Sequence, residues 1–98
     1  MSANANNSLP VIPQGTSYNE AKISLIANGW RPIENRMIEK SSLYAQELYE
    51  QGTLEVVDCI SMELDACWFH YKKNKQILEV KTITRQLKVE RINVMRGR

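Results

Sequence analysis

Cys59, Cys67 and His70 carry the most reactive chemistry in this 98-residue chain. A thiol nucleophile needs a base within hydrogen-bond reach, and a third group to orient that base. Cys67 and His70 are three positions apart in a stretch that alternates like a strand, so they fall on opposite faces. Cys59 with His70 is the other pairing, and it vanishes if the two cysteines are joined. A zinc site needs four ligands, or three and a water. Cys59, Cys67 and His70 would need an acidic fourth, and their spacing matches no finger or ribbon. Asp58, Glu63 and Asp65 are the carboxylates nearest these residues, and as loop acids they are expected to be solvated. No glycine-rich phosphate loop or dinucleotide fingerprint is present. The expectation is a chain with no catalytic residue, no metal and no cofactor; a hydrolase would have to rely on His70.

Positive charge gathers late in the chain, at Lys72, Lys73, Lys75, Lys81, Arg85, Lys88, Arg91, Arg96 and Arg98. With Trp68 and Tyr71 beside them, these residues offer a way of binding a nucleic-acid strand by charge and stacking. Glu55, Glu79 and Glu90 interrupt that field. Lysine on a strand also guards a sheet edge against aggregation, and this reading is preferred. Thirteen basic against eleven acidic residues leave only +2, too little to demand a nucleic-acid or membrane partner.

The elements that hold these residues follow from pattern. The chain suits one domain, and its 43% apolar and 24% charged content is ordinary globular composition. No apolar run approaches the ~18 residues of a membrane helix. Residues 1–15 read as a flexible tail punctuated by Pro10, Pro13 and Gly15, residues 16–94 as the domain, and 95–98 as a basic tail. Ser17-x-x-Glu20 forms a capping box. Tyr18, Ala21 and Leu25, with Ile26 beside them, give a buried helical stripe, while Asn19 and Lys22 face solvent. Asn28-Gly29 stops this helix, Trp30 folds back over its end, and Pro32 holds Arg31 extended. A second helix starts at Ser41 or Ser42, packs through Leu43, Tyr44, Ala45 and Leu48, and closes at Gln51-Gly52.

From Thr53 onward β-branched residues and alternation predict strands over 53–60, 67–72, 77–84 and 87–94, with a turn at Lys73-Asn74-Lys75. Leu87 and Val89 are out of phase with Ile92 and Val94, which predicts a bulge. Helices followed by strands give an α+β fold, with one or two helices packed on a three- to four-stranded antiparallel meander.

The cysteines admit two readings: free, buried thiols in a reducing compartment, or a disulfide in an exported protein. Adjacent antiparallel strands would bring them face to face across a seven-residue loop, within the reach of a disulfide. Ala3-Asn4-Ala5 has the small-x-small form of a signal-peptidase site ahead of a polar stretch, so the chain reads as one from which a signal peptide has been removed.

The run Tyr18-x-x-Ala21-x-x-x-Leu25-x-x-x-Gly29-Trp30-x-Pro32, followed by Asp58-Cys59 and Cys67-x-Phe69, resembles a group of small exported bacterial proteins of uncharacterised function. In that group such a helix precedes a two-cysteine β-hairpin. The resemblance covers about residues 16–83 and implies a Cys59–Cys67 disulfide, an α+β fold and an envelope location; no catalytic residue carries over. Members usually have small residues between the cysteines, whereas Ser61-Met62-Glu63-Leu64-Asp65-Ala66 is larger and acidic. The helix also echoes the first half of PASTA modules.

The expected function is therefore a non-enzymatic, disulfide-stapled domain, periplasmic or secreted, that binds another protein through Met62, Leu64, Trp68 and His70. A closed loop with exposed apolar side chains is ordered before it binds. The alternative is a cytoplasmic, phage- or plasmid-type inhibitor or nucleic-acid-associated protein, with reduced thiols and a working surface of Lys72, Lys73, Lys75, Lys81, Arg85, Lys88 and Arg91. Membrane insertion is not expected.

Overall fold

The computed structural model describes residues 9–62 and 64–96, with the side chain of Arg96 left aside. Ala3-Asn4-Ala5, Glu63 and Arg98 lie outside the described residues. Two helices, α1 (Tyr18–Ala27) and α2 (Leu43–Glu50), pack on an antiparallel sheet of β1 (Arg31–Pro32), β2 (Val56–Ile60), β3 (Ala66–Lys73), β4 (Gln76–Ile83) and β5 (Lys88–Arg96). A single 3₁₀ turn covers Ile38–Lys40. This is the expected α+β class.

Helix α1 is bounded by its own sequence. Ser17 Oγ accepts from Glu20 N–H at 3.3 Å. At the other end Gly29 N–H reaches Ile26 O and Trp30 N–H reaches Leu25 O, both at 3.0 Å. Those two bonds form a Schellman cap, which needs a left-handed residue at Gly29, here at φ +92°. Tyr18, Ala21 and Leu25 are buried, and Trp30 lies folded into the core. Ile26, expected beside the stripe, is 48% exposed; it sits one residue past Leu25, where the helix turns from the sheet. Helix α2 is capped by Ser42, whose Oγ accepts from Ala45 N–H at 3.2 Å. Its buried residues are Ala45 and Leu48. Leu43, counted on the apolar side, is exposed, because the first helical residue points beyond the sheet's end.

Strand β3 organises the sheet. One edge pairs along its length with β4. The other is shared, with β2 opposite residues 66–69 and β1 opposite residues 71–72. His70 stands in the gap, its N–H on Glu55 O at 3.2 Å and its carbonyl accepting from Ile33 N–H at 3.0 Å. The short β1 was anticipated only as extended chain, and it adds the fifth strand. The free side of β2 is sealed by Asn35 Nδ2, which donates to Val56 O at 3.0 Å and Val57 O at 3.1 Å. At the far side, β4 pairs with β5, and Glu90 is the extra residue between Lys81↔Arg91 and Thr82↔Val89. This bulge rephases β5, so that Val89 is buried and Ile92 and Val94 also pack on the core. Gly15 N–H bonds Val89 O at 2.8 Å and Tyr18 N–H bonds Leu87 O at 2.9 Å, so residues 15–18 run along the start of β5. Ile12 packs on the core as well.

Alternation divides the sheet cleanly. Cys67, Phe69, Tyr71, Leu78, Val80 and Thr82 are buried beneath the helices, while Trp68, His70, Glu79 and Lys81 face the other way and are partly exposed.

Candidate functional site

Cys59 and Cys67 are directly opposite one another on β2 and β3 and form a disulfide, with Cα atoms 4.1 Å apart. The bond closes the ring that holds residues 60–66. Within it Met62 is 90% and Leu64 67% exposed. Neither folds inward over the sheet's end. Leu64 and Asp65 both adopt positive φ, at 58° and 53°, a region that costs an L-residue roughly 1–2 kcal/mol. Neighbouring contacts hold that conformation. Leu64 O accepts from Thr84 N–H at 2.6 Å. Asp65 Oδ1 lies 3.5 Å from Arg85 Nε, and the Arg85 guanidinium lies 3.8 Å over the Tyr44 ring. Burial raises the Tyr44 phenol above its ordinary range, with Arg85 acting in the opposite direction. The β2–β3 ring, the β4–β5 turn and the start of α2 thus form one braced end of the molecule. Ile60 and Leu43, both exposed, extend its apolar character. Ile60 was not singled out beforehand and Leu43 was assigned to the packed side of its helix; the signal available was their place at the last position of a strand and the first of a helix.

Trp68 and His70 occupy the open sheet face that leads away from this end. Lys81 Nζ lies 5.7 Å from the Trp68 ring centroid and 2.9 Å from Glu90 Oε1. His70 Nε2 lies 2.9 Å from Glu79 Oε2 of the opposing residue on β4. His70 therefore faces away from Cys67, and the disulfide removes both thiols from acid–base or metal chemistry. Of the acids expected to be solvated, the two that are described are engaged: Asp58 Oδ1 accepts from Ser42 N–H at 2.9 Å and Cys59 N–H at 2.8 Å, and Asp65 Oδ1 faces Arg85 Nε.

The basic residues are spread along the sheet from one end to the other. Lys72, Lys73 and Lys75 surround the β3–β4 turn, Lys81 is paired with Glu90, and Arg85 is tied to Asp65 at the opposite end of β4. Lys88 stands opposite Ile83, and Arg91 opposite Lys81.

A second polar centre was missed. Glu55, counted among the acids that interrupt the basic field, is 1% exposed. Its Oε2 accepts from Tyr18 Oη at 2.5 Å and Tyr71 Oη at 3.4 Å, and Lys22 Nζ lies 2.9 Å away. Lys22 therefore turns inward from the face assigned to solvent. Burial, reinforced by Glu55 and the neighbouring phenol, raises the ionisation of Tyr18 far above the tyrosine range; burial also raises Tyr71. With Tyr18 and Tyr71 buried as well, this cluster is closed to a substrate and acts in packing. Its only sequence signal was Tyr18 and Lys22 one helical turn apart, with no carboxylate in sight until the fold brings Glu55 to them.

Comparison with known protein families, curated proteins and solved structures finds no match to this chain.

Proposed function

We propose that this chain is a non-enzymatic recognition domain of the bacterial envelope, and that it binds another protein by the 60–66 ring, with Trp68 and His70 on the flank of the contact. The observation that carries this reading is Leu64. A large apolar side chain is held in water, on a backbone conformation that leucine disfavours, by a disulfide and three bracing contacts. Local strain of this kind concentrates where a surface is ordered for recognition. Met62 and Leu64 supply apolar anchors for a pocket on the partner, and Met adapts well to such pockets. A disulfide in a small domain fits an oxidising compartment, which supports placement outside the cytoplasm.

The test is site-specific photocrosslinking in the native compartment. A photoreactive side chain at position 62 is expected to give a discrete protein adduct. A control at Ile23, which is 69% exposed on α1, is expected to give none. Adding Leu64→Asp should abolish the adduct without unfolding the domain. Identical adducts from positions 62 and 23, or an adduct indifferent to Leu64→Asp, would overturn the proposal. An adduct of twice the chain mass would identify the partner as a second copy.

A further inference from the structure

At the end of the sheet remote from the disulfide, Arg31 and Lys72 are opposed residue to residue across β1 and β3, and both are exposed. Like charges in that register repel and weaken a strand pair. The next residue, Lys73, donates from Nζ to Asn28 O at 2.8 Å and sits 5.8 Å from the Trp30 ring centroid. Gly29 makes room for it, since a Cβ there would stand 3.3 Å from Lys73 Cε. Lys75 follows in the turn. Gly29, Arg31, Lys72, Lys73 and Asn74 line a shallow cleft of about 480 Å³.

The distribution of carboxylates sharpens the contrast. Lys22, His70, Lys81 and Arg85 each have an acidic partner. Among the described residues Arg31, Lys72, Lys73 and Lys75 form no ion pair with any acid. Lys88 and Arg91 on β5 also lack an acidic partner among the described residues, but Arg31, Lys72 and Lys73 stand together on one cleft, the first two in a repulsive register and with Lys75 next in the turn.

We infer that this cleft binds a phosphate group, as a phosphomonoester or diphosphate. A dianion relieves the Arg31–Lys72 repulsion. The Arg31 guanidinium offers a planar fork that matches phosphate oxygens, and Lys72 adds a point charge from the facing strand. Lys73, anchored on the carbonyl that ends α1, sets the cleft's floor. The site is separate from the 60–66 ring, being at the other end of β3, and stands whether or not that ring binds protein.

The test is a titration of the full chain with inorganic pyrophosphate at fixed ionic strength, followed by amide chemical shifts. Saturable shifts are expected at Gly29, Arg31, Lys72, Lys73 and Asn74. Arg31→Gln with Lys72→Gln should weaken binding about tenfold or more, the loss expected for charge-assisted hydrogen bonds. Lys88→Gln with Arg91→Gln removes the same net charge elsewhere and should leave binding within about twofold. Absence of saturable shifts, or equal weakening by the two double variants, would overturn the inference. Flotation with phosphatidic-acid vesicles distinguishes the source. Vesicle binding lost in the first double variant assigns the phosphate to a lipid headgroup; pyrophosphate binding without vesicle binding assigns it to a free ligand.

Discussion

Glu55 shows how much one residue can hold together. Its carboxylate joins α1, through Tyr18 and Lys22, to β3, through Tyr71. Glu55→Ala should therefore cost about 3 kcal/mol in denaturant unfolding, since it strands two buried hydroxyls and a lysine in one step. Tyr71→Phe, which leaves the Tyr18–Glu55 bond intact, should cost about 1 kcal/mol. The tyrosines also set a pH limit. Their ionisation is raised in the folded chain, whereas in the unfolded chain a phenol loses its proton near pH 10. The stability from keeping them neutral is complete below that pH. Above it the unfolded state releases protons that the native state retains, so stability falls as pH rises. Denaturant midpoints between about pH 8 and pH 11 should show this decline, and Tyr71→Phe should flatten it. Leu64 makes the opposite case. Asn tolerates positive φ better than Leu, so Leu64→Asn should raise stability by roughly 0.5–1 kcal/mol while abolishing the proposed crosslink.

Among the elements, the β2–β3 hairpin and the end of α1 carry the clearest dependences. Reducing Cys59–Cys67 reopens a short loop and should lower stability by about 2–3 kcal/mol, measured as a shift in the denaturant midpoint. Gly29→Ala should cost about 1 kcal/mol or more, because it imposes φ +92° on an alanine and presses Lys73. Both features are readable from residue order. Ser17-x-x-Glu20 and Asn28-Gly29 bound α1, and alternation marks β3 with Cys67, Phe69 and Tyr71 on one side. Phase reversal between Val89 and Ile92 locates the bulge. What escapes such reading is pairing between distant segments. Nothing in Arg31-Pro32 announces a strand, because β1 exists only where the vacancy beyond β2 on β3 accepts it. Glu55 looks like a surface acid because its partners are 37 and 16 residues away. Lys22 looks solvent-facing for the same reason. The positive φ of Leu64 and Asp65 is likewise held by Thr84 and Arg85, some twenty residues further along the chain.

Over the whole molecule, the two helices cover one face of the sheet, and the other carries, among the described residues, its own side-chain pairs, His70 with Glu79 and Lys81 with Trp68 and Glu90. The two proposed sites are at opposite ends of β3, one apolar and braced, the other cationic and without acids. This arrangement lets either be altered without the other. The disulfide has a further consequence in time. Both sulfurs belong to segments that precede β4, and only eight positions separate them. A chain threaded from its N-terminus into an oxidising space can lock β2 onto β3 while β4 and β5 are still in transit. Late-arriving β4 and β5 then add to a template whose alignment is already covalently written.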